Sequence, residues 1–317
     1  MSPLDEFDTS LEASVTEVTE AWARPRAGED LRATDAFQAH WRQAVELGWT
    51  GILDGAEDLG SPECRDLLDA ACGAVQALAR SGFALPLRQT LVSRYAATEE
   101  LPADVIAVHP TAYGVWHPAA DVLISADGAV RTPAVGGRTA GVTDLAGRPC
   151  VLSFDNGYRG RRPVVLLAEL LLLQEILGAA QGAAAQARRH VTERVQFGRP
   201  LIRIPAVRTL TGELDLALRQ LETAVHEARR RLGRPNARAR DFALLTAREV
   251  ASRSATEIAA AAHQLHGAMG ITEEAGLHWR TKLLWADRDE GVLSRDQGLR
   301  ALRTDEDELW EWSAPVA

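Results

Sequence analysis

Three stretches of the 317-residue chain carry side chains suited to chemistry. The first is Glu193-Arg194-Val195-Gln196-Phe197-Gly198-Arg199-Pro200. A guanidinium is a planar fork matched to phosphate oxygens, an aromatic ring offers a face to a flat heterocycle, and glycine allows close backbone approach. Such a corner could hold a phosphate and a flat ring. The second is the apolar run after Pro163, which contains Glu169 and Glu175. Burial raises a carboxyl's pKa, which suits a general base and equally suits a structural carboxylate bonded to its neighbours. The two glutamates are six residues apart; at about 100° per residue they face different ways and form no dyad. The third is Gln264-Leu265-His266-Gly267-Ala268-Met269-Gly270. His263 and His266 flank Gln264 at a spacing that could set two ligands on one side, but no carboxylate or cysteine completes a set, so no metal is expected. His226, beside Glu222 and Arg229, reads as part of a solvated helix face.

The elements that position these groups are mostly helical. The stretch RPVVLLAELLLLQEILGAAQ opens on Pro163 at a helix's first turn, and its apolar residues run round every face. Neighbours must then cover it on all sides, which predicts a bundle. The stretch turns small and polar from Ala179 to His190, with Gly198 and Pro200 expected as the stop. Residues 5–22, 32–47, Pro62–Ser81 and Leu87–Thr98 read as N-terminal helices, and Pro205–Leu232 and about Arg240–Leu265 as later ones. A last helical stretch holds Leu283, Leu284, Trp285, Val292 and Leu299. Between Leu101 and Tyr158 the chain breaks into short β-rich runs, VIAVHP, YGVWHP, DVLISADGAVRTP, TAGVTDLAG and CVLSF, with Asp127-Gly128 as a hairpin signal. The fold class is therefore mainly α: an N-terminal helical domain (1–100), a small reduced β domain (101–160), a C-terminal four-helix bundle (161–303) and an acidic tail (304–317).

Composition narrows the function classes. A hydrophobic fraction of 46% is ordinary for a soluble protein, and a formal net charge of −9 argues against nucleic acid as a partner. Three cysteines are too few for a disulfide framework and lack metal-ligand spacing, which suits a reducing cytoplasm. The opening MSPLDEFDTSLEAS has neither the basic nor the apolar region of a signal peptide. Glu169 and Glu175 would each be expensive in lipid, so the long apolar helix is expected to be a core helix and not a membrane span.

The corner at Arg194 followed by an amphipathic helix, with the Gln264–Gly270 motif and Ile271-Thr-Glu-Glu274 about seventy residues later, resembles the C-terminal domain of the acyl-CoA dehydrogenases. Glu46-Leu-Gly-Trp-Thr-Gly-Ile-Leu53 is similar to that family's N-terminal helical domain, so the resemblance covers most of the chain. It implies FAD, an acyl-CoA substrate, and a reaction in which a carboxylate takes the α proton while the flavin takes the β hydride. It further implies that the corner reaches across a subunit interface to the ADP half of a neighbour's FAD. Arg194 would pair with the pyrophosphate, Phe197 would pack near the adenine, and Gln264 with Gly267 would approach the dinucleotide, with Gln196 and Ala268 in the same set. Ala268 stands where the family commonly has a second glycine.

The chain departs from the family in its middle domain, which is much shorter and lacks the flavin-contacting threonine and serine strand pair. In this it resembles the lesser subunits of actinobacterial α2β2 acyl-CoA dehydrogenases, which pair with a full-length subunit and serve bulky, steroid-like acyl groups. The resemblance implies a base at Glu290, in Glu290-Gly291, or at Glu169; each sits one residue from the family's place, and the base in another chain, or none, stays open. So do a self-sufficient homo-oligomer and a flavin-free member of the fold.

Overall fold

The computed structural model describes residues 3–24, 34–109, 115–131, 142–151, 161–232 and 237–290. Among them are eight α-helices and five very short strands. The N-terminal helices are α1 (Pro3–Glu20), α2 (Asp35–Glu46), α3 (Pro62–Ser81) and α4 (Leu87–Ala96). Their ends carry local signals. Thr34 caps α2 by accepting from the Phe37 N–H at 3.1 Å, and Ser61 caps α3 by accepting from Cys64. Gly82, at φ 79°, closes α3 in the left-handed conformation.

Among the described residues, the middle of the chain forms one three-stranded sheet. Strand β1 (Ala107–Val108) pairs parallel with β2 (Val122–Ile124), which pairs antiparallel with β3 (Val130–Arg131). The turn between β2 and β3 contains Asp127 and Gly128, with Gly128 at φ 90°. Among the described residues of YGVWHP only Val115 bridges, to Cys150; Trp116 turns left-handed at φ 66° and His117–Ala119 form a 3-10 turn. Residues 132–141 and 152–160, which include parts of TAGVTDLAG and CVLSF, lie outside the described residues.

Helix α5 (Arg162–Glu193) is the axis, packed by α3, α4, α6, α7 and α8. By length and composition it could cross a membrane; here it is buried inside the fold, with Leu167 and Leu170 to Leu173 at 0% exposure. Its second half is small for a steric reason. A Cβ on Gly178 would lie 2.0 Å from the Gln76 carbonyl oxygen, and one on Gly182 would lie 2.1 Å from that of Arg80, so α3 presses backbone to backbone on α5. The helix ends at Glu193, ahead of Gly198. The glycine belongs instead to a hairpin of β4 (Val195–Gln196) and β5 (Arg199–Pro200), locked by Leu201 N–H to the Arg194 carbonyl at 2.9 Å.

Helices α6 (Pro205–Leu232), α7 (Ala237–His266) and α8 (His278–Asp289) complete the bundle, three long helices and one short. Val292, Leu299 and the acidic tail from 304 lie outside the described residues. One continuous core joins the N-terminal helices, the sheet and the bundle, and it includes Trp41, Trp49 and Trp116.

Candidate functional site

The bundle end at Arg194 has an unusual local conformation. Phe197 and Gly198 form the two-residue turn between β4 and β5 with φ of 53° and 75°. That is the paired positive-φ geometry of a tight hairpin, where Asn-Gly is the favoured sequence and a bulky side chain at the first position is strained. The strain is not offset by packing, because the Phe197 ring is 88% exposed. Arg194, Val195, Gln196 and Arg199 are exposed around it.

The second motif lies at the same end. Helices α5 and α7 are joined near their C-termini by His190 and His266, whose rings stack at 4.5 Å with 20° between planes. Beyond His266 the chain makes a 3-10 turn, Gly267–Ile271, in which Gly267 has φ 58° and a methyl on its Cα would meet nothing within 4 Å. Gln264, Gly267 and Ala268 are exposed there, as are Met269 at 42% and Ile271 at 81%. Beside Gln264 an open groove of about 530 Å³ runs between α6 and α7, floored by Leu210, Leu214, Ala217 and Ala261 and rimmed by Glu213 and Glu257. Arg194, Gln196, Phe197, Gln264, Gly267 and Ala268 thus share one exposed end of the bundle. Open backbone at Gly198 and Gly267, outward guanidiniums and an uncovered ring suit the phosphate and ring of a dinucleotide presented from outside.

His263 and His266 do different things. His263 Nε2 meets the Thr281 hydroxyl at 2.9 Å, whereas His266 Nδ1 bonds the Ala262 carbonyl at 2.8 Å. Among the described residues no group of three His, Cys, Asp or Glu side chains is placed to hold a metal.

The candidate carboxylates lie inside. Glu290 follows α8 and is 2% exposed, with its Oε2 accepting from Arg88 Nη2 at 2.7 Å. Glu175 of α5 accepts from the Nε of the same arginine at 2.5 Å. Arg148, from the loop after the sheet, donates to Asp287 at 2.6 Å and to Asp144 at 2.6 Å, and stands 3.7 Å from Glu290. Arg248 of α7 donates to the Asp287, Arg288 and Glu290 carbonyls at the end of α8, where a cation suits the helix dipole. Burial alone would raise the Glu290 carboxyl, but Arg88 and Arg148 outweigh it and hold it below its ordinary value. Burial pushes Asp287 well up, Arg148 pulls it back, and Glu175 pushes it up again. Glu169 is fully buried two turns earlier on α5.

Sequence reasoning did not find Arg88, Arg148 or Asp287. The one available signal was Glu175 in an apolar run, which demands a buried counter-charge without saying which arginine supplies it.

Residues 170–285 match the family described as acyl-CoA dehydrogenase, C-terminal domain. The acyl-CoA dehydrogenase IpdE2 of Mycobacterium tuberculosis is 27% identical over 334 residues, covering 98% of this chain and 99% of that protein. Two solved structures are similar in fold. The ChsE4–ChsE5 complex from Mycobacterium tuberculosis aligns with a TM-score of 0.69 at 16% identity, over 100% of this chain and 99% of that one. The Tcur3481–Tcur3483 steroid ACAD aligns with a TM-score of 0.71 at 18% identity, over 98% and 100%.

Proposed function

We propose that this chain, an acyl-CoA dehydrogenase family member, is the shortened subunit of a heteromeric FAD-dependent acyl-CoA dehydrogenase, and that its bundle end completes a partner's cofactor site. The observation that carries the reading is Phe197, an aromatic ring held in a strained positive-φ turn and left 88% exposed. Backbone strain kept at an exposed ring has a rationale when the ring is covered in an assembly. In this reading Arg194 binds the pyrophosphate and Phe197 packs on the adenine. Gln264 and Gln196 offer amide groups to the dinucleotide, and the turn at Gly267 and Ala268 brings backbone close to it. FAD, when bound, supplies the hydride acceptor for α,β-dehydrogenation.

The proton-abstracting carboxylate is assigned to the partner. Glu290 is held by Arg88 and Arg148 with its pKa depressed, the reverse of a base tuned toward neutrality. Glu169 is enclosed in the first half of α5, where Leu166 to Leu173 are at most 4% exposed and leave no open wall. The fold likeness to the ChsE4–ChsE5 complex and to the Tcur3481–Tcur3483 steroid ACAD supports a partner subunit and a bulky acyl-CoA. Three free, buried cysteines support a reducing, cytoplasmic setting.

Replacing Arg194 with Ala tests the reading in the co-purified complex. FAD retention should fall while assembly persists; unchanged retention would remove the proposed role.

A further inference from the structure

The bundle end carries more positive charge than one cofactor contact needs. Between Arg189 and Gly212 the sequence holds five arginines and one carboxylate, Glu193, in a chain of formal net charge −9. Arg194, Arg199, Arg203 and Arg208 are all exposed, and none makes an ion pair or side-chain hydrogen bond among the described residues. They are strung from the end of α5 through the β4–β5 hairpin and the 3-10 turn at Leu201–Arg203 into the first turn of α6. Arg208 is badly placed for the helix it belongs to. The first turn of α6 has no acidic residue, and a cation there opposes the positive end of the helix dipole. Local stability does not account for it.

A pyrophosphate is one compact anion, whereas the four exposed arginines run from the end of α5 through the hairpin into the first turn of α6. A surface with several carboxylates can answer a row of cations of that extent. The neighbouring groove carries Glu213 on its rim, while Glu257 there is paired with Arg253 at 3.8 Å, so the basic strip lies beside a carboxylate of opposite sign. Such a two-signed pattern orients a partner as well as attracting it.

We propose that Arg199, Arg203 and Arg208 dock this chain onto an acidic surface of the partner dehydrogenase subunit, separately from the role given to Arg194. The inference rests on the composite-enzyme reading, and Val195 and Ile271 supply the apolar contact beside the charged strip.

The test uses the full chain and a full-length acyl-CoA dehydrogenase chain from the same source, with association rate and flavin absorption measured together. The rate should fall at least roughly tenfold between about 20 mM and about 300 mM salt. The double variant Arg203→Glu with Arg208→Glu should lower the low-salt rate by a similar factor and flatten the salt dependence. The pair Arg203→Lys with Arg208→Lys should stay near wild type and controls for folding. A flavin-retaining complex whose association ignores salt and both variants would overturn this inference and leave the cofactor reading intact. Salt-steep association without flavin would support the docking strip and remove the cofactor reading. Failure to associate at any salt, or salt-sensitive self-association of this chain alone, would also overturn it.

Discussion

Arg88 Nη2 donates to Glu290 Oε2 at 2.7 Å, joining α4 to the end of α8 across 202 residues of sequence. The same guanidinium holds Glu175 of α5, so one side chain ties three helices together at the centre of the fold. Burial works against its charge, but Glu290, Glu175 and Asp287 outweigh that and raise its pKa.

Removing that guanidinium should be severe. Arg88→Met leaves Glu175 and Glu290 buried without their main counter-charge, and should cost about 3–5 kcal/mol in urea unfolding. A loss below about 1 kcal/mol would mean the carboxylates find other partners.

Glu290 and Asp287 should respond to pH in opposite senses. The folded-state pKa of Glu290 is depressed, so its contribution is present above the unfolded value and is lost as pH falls through the folded one. Glu290→Gln should therefore destabilise most at neutral pH, with the deficit closing in acid. The folded-state pKa of Asp287 is raised, so its ionisation costs stability as pH rises through that value. Asp287→Asn mimics the protonated form, and its stability relative to wild type should improve as pH rises. Urea midpoints followed from acid to mildly alkaline pH would show the two trends; parallel trends would contradict the assignment.

Gly178→Ala should destabilise although alanine is the better helix former by about 1 kcal/mol. The new methyl would sit 2.0 Å from the Gln76 carbonyl oxygen, so α3 and α5 must separate. A net loss of about 2–3 kcal/mol is expected by thermal or urea unfolding, and a neutral result would show that the two helices part easily.

Phe197→Asn should separate stability from function. Asparagine tolerates the left-handed turn, so the free chain should gain about 1 kcal/mol. Flavin retention in the complex should drop with the ring. Retention equal to wild type would take Phe197 out of the cofactor site.

Much of the helical framework was legible because its boundaries are local. Ser61 and Pro62 start α3, Gly82 ends it, and the apolar stripe from Val207 to Leu232 marks α6. The end of α5 was misread because Gly198 looks like a helix stop, whereas hairpin pairing of Val195 with Pro200 claims it. YGVWHP has strand composition, but Trp116 is fully buried through a left-handed turn that composition does not reveal. The buried charge cluster was invisible for a different reason. Arg88 and Glu175 are 87 residues apart, and Arg148 and Asp287 are 139 apart, so no spacing rule connects them. The exposed corner was easier, since Arg194, Phe197 and Gly198 lie within five residues and their types alone suggest a phosphate and a ring.

The most direct test of the central claim is the visible absorption spectrum of this chain purified alone and co-purified with a full-length acyl-CoA dehydrogenase chain from the same source. The account predicts flavin absorption only in the co-purified sample. Flavin bound stoichiometrically to the lone chain, as a homo-oligomer, would contradict it.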